Sequence, residues 1–144
     1  MTEPPSTATL LFVVHRAAET KVMDALRAAG FDDVTVAQCR IAQRLSPEGI
    51  RITDLAEQAG VTKQTAGALI DELERSGYVV RRPDPADARA RLVVLSARGR
   101  KLCAAAAAEV TKIEDEWRSQ FGATAYRQLR TMLMSLHEVS DPYQ

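Results

Sequence analysis

A mainly α-helical chain with one small β-hairpin is the fold class that the sequence predicts. Three observations carry it. Apolar residues recur at helical spacing over most of the length, a Gly-Val-Thr connection at 60–62 separates two short apolar-faced stretches, and the β-rich runs are confined to Tyr78–Arg82 and Leu92–Ser96. At 144 residues and 46% hydrophobic, the chain can bury a real core in one domain, or one domain with a helical extension. It is too apolar to be disordered.

The residues up to about Ser6 are expected to fray. From Thr9 to Ala29 the positions Leu11, Val14, Ala18, Val22, Ala25 and Ala29 step along one helical face, and Gly30 stops the helix. A second helix is expected over 35–45, broken by Pro47 and Gly49. A short third helix begins near Thr53, turns Leu55 and Ala56 inward and ends at Gly60. Thr62 suits the cap of a fourth helix, because its hydroxyl can accept an orphan amide of the first turn. Ala66, Leu69, Ile70 and Leu73 form that helix's apolar face, and Gly77 ends it. The two β-rich runs then pair about Pro83–Asp87, a tip too long for a two-residue turn and expected to project from the body. After Gly99 the chain is helical to its end, with one break at Phe121–Gly122. The run Ala104–Ala108 has the highest helix propensity available. Val110, Ile113, Trp117 and Phe121 continue its apolar stripe, and Leu129, Met132, Leu133 and Leu136 give the last helix its own.

Nineteen basic residues balance 19 acidic ones, so the whole chain does not advertise a polyanionic partner. The distribution does. Residues 75–101 hold Arg75, Arg81, Arg82, Arg89, Arg91, Arg98, Arg100 and Lys101 against only Asp84 and Asp87, a local +6 in a neutral chain. Such a segment can supply the phosphate-neutralising part of nucleic-acid binding, although a solvated charged loop would have the same composition.

Two short helices about a tight turn, followed by a basic hairpin, read as a winged helix-turn-helix. A helix fits the major groove of duplex DNA, and the side chains reaching base edges come from the start of the second helix. Here those are Thr62, Lys63, Gln64 and Thr65, with Gly67 and Ala68 on the same outer side. Lys63 can donate to guanine or phosphate, Gln64 can pair with adenine, and Thr65 can meet a thymine methyl. These residue types are also common at any exposed helix start. Beyond them Asp71, Glu72 and Glu74 keep the rest of the helix from phosphates. In the hairpin, Arg82, Asp87, Arg89 and Arg91 are the candidate DNA residues. A guanidinium at the tip can enter the narrow minor groove, and Asp87 can hold Arg89 in one pose, form the turn, or do both.

The elements Leu55-Ala56, Gly60-Val61, Leu69-Ile70-Asp71-Glu72-Leu73-Glu74, Gly77-Tyr78-Val79, Arg81-Arg82, Asp87-x-Arg89 and Leu92-x-x-x-Ser96-x-x-Gly99 resemble the MarR family of winged helix-turn-helix regulators. The resemblance covers nearly the whole length. It implies a homodimer whose terminal helices form a dimerisation domain, and two winged lobes on a pseudo-palindromic operator. It divides the chain into a dimerisation helix at 1–34, a DNA-binding domain at 35–99 and dimerisation helices at 100–144. On that division Leu11, Val14, Ala18, Ile113, Trp117, Phe121, Leu129, Leu133 and Leu136 are the candidate dimer residues. It further implies a repressor released by a small molecule, often a phenolic or aromatic anion, held between the dimerisation helices and the lobe. Helices 1, 2 and 5 could line that pocket, whose residues the sequence leaves unassigned. Many relatives carry Ser or Thr at Gly67 and a basic residue near Ala68 or Glu72, so the reading surface here is smaller and less basic.

Two other readings stand beside this one. Cys39 and Cys103 each have a basic neighbour in sequence that could lower a thiol pKa, which would suit a redox regulator. A lone cysteine in an apolar helix is more often a small buried hydrophobe, and Thr9–His15, where some members of the family carry a reactive cysteine, has none. A winged helix can also serve protein contacts without DNA. Two cysteines exclude a disulfide scaffold, and His15 and His137 lie too far apart to suggest a metal site. No nucleophile motif or phosphate loop appears, so neither catalysis nor a cofactor is expected. The longest apolar stretch, Leu102–Ala108, is far short of a membrane span, and Met1–Thr9 has no basic start of a secretory signal. A cytoplasmic location and no membrane partner are expected.

Overall fold

The described residues, 2–143 of a computed structural model, form α1 (Thr7–Ala28), α2 (Val36–Ala42), α3 (Ile52–Ala59), α4 (Lys63–Arg75), β1 (Val79–Asp84), β2 (Asp87–Leu95), α5 (Ala97–Phe121) and α6 (Ala123–Ser140). Met1 and Gln144, the outermost residues of the two end segments, lie outside them. Hydroxyl caps set most helix starts. Ser6 accepts the Thr9 N–H, Thr62 accepts the Thr65 N–H and Ser96 accepts the Gly99 N–H, while Thr35 and Gln38 form a reciprocal capping box on α2. The left-handed Gly60 (φ 68°) closes α3, so the turn into α4 needs only Val61 and the cap.

Some boundaries differ from the sequence expectation, and α5 for one begins at Ala97, ahead of Gly99. The second helix ends at Ala42, because the chain tightens there: Arg44 N–H bonds the Ile41 carbonyl at 3.0 Å and Leu45 N–H the Ala42 carbonyl at 3.2 Å. Leu45 nevertheless stays buried. The third helix starts at Ile52, the neighbour of Thr53, as expected, with Arg51 as its cap residue. The hairpin differs most. Asp84 pairs with Asp87 across Pro85–Ala86, so the tip is a two-residue turn, and Pro83 then pairs with Arg91. The surplus residues, 88–90, bulge from β2 instead of lengthening the tip. Two carboxylates make this possible: Asp84 accepts the Ala86 N–H at 2.9 Å, and Asp87 accepts the Arg89 N–H at 3.0 Å.

The core lies inside the winged lobe. Leu55 of α3, Ile70 and Leu73 of α4, Tyr78, and Val79 and Val93 of the hairpin are almost wholly buried with Leu26 of α1 and Leu102 of α5. Ile50 exchanges two hydrogen bonds with Val93, of 3.1 and 2.8 Å, and so ties the loop before α3 to the inner edge of β2. The C-terminal half of α1 and the N-terminal half of α5 thus belong to the same core as the lobe. Their far ends leave it, with α1 against α5 and α6 against α5. A Cβ at Gly99 would collide with the Tyr78 carbonyl, so glycine is what lets α5 begin directly beneath β1. No helix among the described residues is long and apolar enough to cross a membrane.

Candidate nucleic-acid interface

The start of α4 is fully presented. Thr62, Lys63, Gln64, Thr65 and Ala68 are exposed. Lys63 and Gln64 form no hydrogen bond or ion pair among the described residues, so both are available to a ligand. The Thr62 and Thr65 hydroxyls are 2.9 Å apart and share one hydrogen bond, which fixes the Thr65 rotamer as well as the cap. A Cβ at Gly67 would meet nothing within 4 Å, so this glycine answers no internal packing need and leaves a gap on the outer face. The acidic second half of α4 is internally paired. Asp71 and Glu74 both take Arg81 at 2.7 Å, and Glu72 accepts from Gln38 at 2.7 Å.

Arg81 is therefore part of the lobe's framework, 19% exposed, rather than a free cation. The same sorting runs through the basic segment. Arg82 donates to the Glu48 carbonyl at 2.9 Å, and Arg100 donates to the Leu95 carbonyl at 3.2 Å. Arg98 lies 4.3 Å over the Tyr78 ring, donates to the Ser76 carbonyl and reaches Asp33 at 3.1 Å. Arg75, Arg89, Arg91 and Lys101 remain as exposed cations of the segment whose side chains have no hydrogen-bond partner among the described residues. Arg89 is 94% exposed at the wing, and its Nε stands 3.6 Å from Asp87, an ion pair too long to be a hydrogen bond. Asp87 thus holds the Arg89 backbone tightly and its guanidinium loosely.

Sequence reasoning missed Arg51 as a wing residue. It donates twice to Asp84, at 2.9 and 2.7 Å, and so ties the cap of α3 to the base of the turn that carries Arg89. That pair holds the Arg51 guanidinium above its usual pKa, and the Ala86 N–H with Arg51 holds Asp84 below the usual carboxylate range. No local signal joins residues 33 positions apart.

The candidate dimer residues fall into two groups. Leu11, Val14, Phe121, Leu133 and Leu136 are exposed, together with neighbours such as Phe12, Met132 and Val139. Ile113 is 3% exposed within the single chain, so its side chain is already spent on internal packing. Ala18, Trp117 and Leu129 are half-buried. Ala18 and Trp117 also line a cavity of about 740 Å³ between α1, α2 and α5. Its walls are mainly apolar, with Val22, Leu26, Leu102 and Ala106 among them.

Both cysteines are free, half-buried and open onto this cavity. Burial pushes both thiols up, and Cys39 is raised further by Cys103 and Glu19. Of their basic neighbours, Arg40 is bound to Glu19 at 2.8 and 2.7 Å and Arg100 to the Leu95 carbonyl, while Lys101 is exposed. His15 lies on the cavity rim, 3.6 Å from Glu19, and His137 is at the far end of α6. No group of three or more metal-ligating side chains gathers among the described residues.

These elements define a winged helix-turn-helix protein, with the recognition-helix start and the wing arginines turned to solvent. The MarR family profile matches residues 32–90, the stretch from the middle of the α1–α2 loop to the wing. The chain is 35% identical to the transcriptional regulator HosA of Escherichia coli O111:H- over 86 residues, which are 59% of this chain and 64% of that one. To HosA of Escherichia coli O157:H7 it is 33% identical over 92 residues, 63% of this chain and 68% of that one. It therefore belongs to the MarR family, and spans somewhat under two thirds of the first of these relatives. The solved structures agree over more of its length. A MarR family protein of Mycobacterium tuberculosis in complex with salicylic acid superposes with a TM-score of 0.68 at 28% identity, covering 94% of this chain and 99% of that one. CouR from Rhodococcus jostii RHA1, bound to p-coumaroyl-CoA, gives 0.70 at 27% identity, covering 94% and 92%.

Proposed function

We propose that the protein is a homodimeric DNA-binding regulator of transcription, a repressor whose hold on a pseudo-palindromic operator is relieved by a small aromatic ligand in the α1–α2–α5 cavity. One observation carries it: a lobe whose recognition-helix start is wholly solvent-exposed also bears a wing arginine that is 94% exposed. A side chain that flexible and that charged contributes little to folding. Its natural use is a polyanion entering from outside. Thr62, Lys63, Gln64, Thr65, Gly67 and Ala68 then face the major groove, and Arg82, Asp87, Arg89 and Arg91 belong to the wing that reaches the minor groove. Of these, Arg82 and Asp87 act through the wing's shape, since both are engaged within the chain.

The exposed apolar side chains at both ends support the dimer. Leu10–Val14 of α1 and Met132–Leu136 of α6 would otherwise leave contiguous hydrocarbon in water. On this reading residues 1–34 and 100–144 join two copies, and 35–99 bind DNA. The cavity takes walls from α1 and α5 as well as from α2 and β2, which supports a ligand there that changes the lobe's angle. The ligands named for the two solved relatives each carry an aromatic ring, which supports an aromatic effector here. The raised thiol pKa values favour a ligand over thiol oxidation as the signal, because the thiolate is the reactive species.

The test is fluorescence anisotropy with a duplex from upstream of the protein's own gene, at several salt concentrations. Binding that weakens linearly in log K against log salt is expected. A protein that leaves every duplex untouched would instead be a winged module for protein contacts.

A further inference from the structure

The cavity carries an electrostatic signature that its apolar volume conceals. Among the described residues that line it, Glu19 is the one carboxylate, and neither Lys nor Arg is present. Glu19 is only 16% exposed. Its two oxygens are taken by one guanidinium: Arg40 Nη2 meets Oε1 at 2.7 Å and Arg40 Nε meets Oε2 at 2.8 Å. Arg40 approaches from the solvent side, is 60% exposed and is not part of the cavity wall. Its hydrogen bonds hold the Glu19 carboxyl below the usual carboxylate range, so the group is ionised at neutral pH. The remaining polar groups of the wall are Gln43, Thr111, the two thiols and the Trp117 indole N–H, with His15 at the rim beside Glu19.

A carboxylate ligand entering this space would lose its hydration, find no Lys or Arg among the described lining residues and stand near a fixed negative group. Burying a charge on those terms is costly. A cationic ligand gains little, since Arg40 already neutralises Glu19 in a two-point fork. A neutral ring system meets apolar walls without penalty, and the carboxylate retains lone pairs able to accept one more hydrogen bond. We infer that the cavity selects an uncharged aromatic molecule carrying a hydrogen-bond donor and rejects carboxylate anions, because Glu19 holds Arg40 on its solvent side and keeps a fixed negative charge in the wall. The inference rests on the reading of this cavity as the effector site. It departs from the anionic ligands that the family resemblance implies.

Three probes of matched shape separate the charge classes: 2-naphthamide, 2-naphthoate and 2-naphthamidine, titrated calorimetrically into the full chain. The amide is expected to bind at least about tenfold more tightly than the carboxylate, and no more weakly than the amidine. In Glu19→Gln, which removes the negative group and frees Arg40, the carboxylate is expected to gain at least about fivefold. Ala107→Phe, on an exposed part of the cavity wall, is expected to weaken all three. A carboxylate that binds the parent chain as well as the amide does, with Ala107→Phe still blocking it, overturns the charge rule and leaves the effector site standing. So does a clear preference for the amidine, or a Glu19→Gln chain that gains nothing for the carboxylate. Binding of no probe at all, or binding indifferent to Ala107→Phe, removes the effector site and the charge rule together.

Discussion

Arg89 and Arg98 carry the same charge nine positions apart, and the structure assigns them opposite consequences. Arg89→Ala removes a side chain that is 94% exposed, with one partner at 3.6 Å. Exposed ion pairs of that kind contribute little to folding, so the melting temperature should stay within about 1 °C. Arg98→Ala removes a guanidinium stacked 4.3 Å over Tyr78 and bonded to Asp33 and the Ser76 carbonyl. A cation–π contact and charge-assisted hydrogen bonds, discounted for a side chain that is 44% exposed, amount to roughly 1–2 kcal/mol, or about 3–8 °C for a chain of this size. The order reverses on DNA. A lost wing-tip contact in each of two lobes should lower affinity by at least about tenfold and flatten the log K against log salt slope by roughly 1–2. Arg98→Ala, measured well below its melting point, should keep the parent slope. Scanning calorimetry and salt-titrated anisotropy on the two variants give both readouts. Equal slopes for Arg89→Ala and the parent chain would refute the assignment of the wing to DNA, whatever happened to affinity.

Three further outcomes are expected. Burial and then the hydrogen bond to Asp33 push the Tyr78 phenol from 10.0 to about 12, so the folded state holds that proton more tightly than the unfolded one. The associated stability is complete below pH 10 and is lost as pH rises toward 12. Urea denaturation across that window should show the loss in the parent chain and a smaller one in Tyr78→Phe. Gly99→Ala forces its Cβ against the Tyr78 carbonyl and within 3.0 Å of Leu95 Cδ2, and should destabilise by more than about 2 kcal/mol. A normal melting temperature would mean that α5 can shift away from β1 freely. Light scattering of the parent chain should give about twice the 15.8 kDa of one copy, and Leu11→Glu combined with Leu133→Glu should return it to a single copy. A double variant that stays at the parent mass would place the dimer face elsewhere.

The helices, their caps and the helix-turn-helix were legible in the sequence because each depends on residues a few positions apart. Thr62 accepts an amide three residues on, Gly60 closes its own helix, and Leu55, Ile70 and Leu73 recur at the spacing of one buried face. The extent of β2 was not legible, because a bulge at residues 88–90 leaves no periodic trace. Charge content was readable too, but not which charges are spoken for. Arg81, Arg98 and Arg51 look like Arg89 in the chain. They differ only because folding returns them to Asp71 and Glu74, to Tyr78, and to Asp84. Arg40 likewise stood next to Cys39 in sequence and could have acted on it, but Glu19, from another helix, holds that guanidinium, and burial raises the thiol. Local hydrogen bonding and periodicity are short-range and leave their mark in order and spacing. The pairing of charges and the enclosure of a cavity are set by which distant segments meet, and only the tertiary structure decides that.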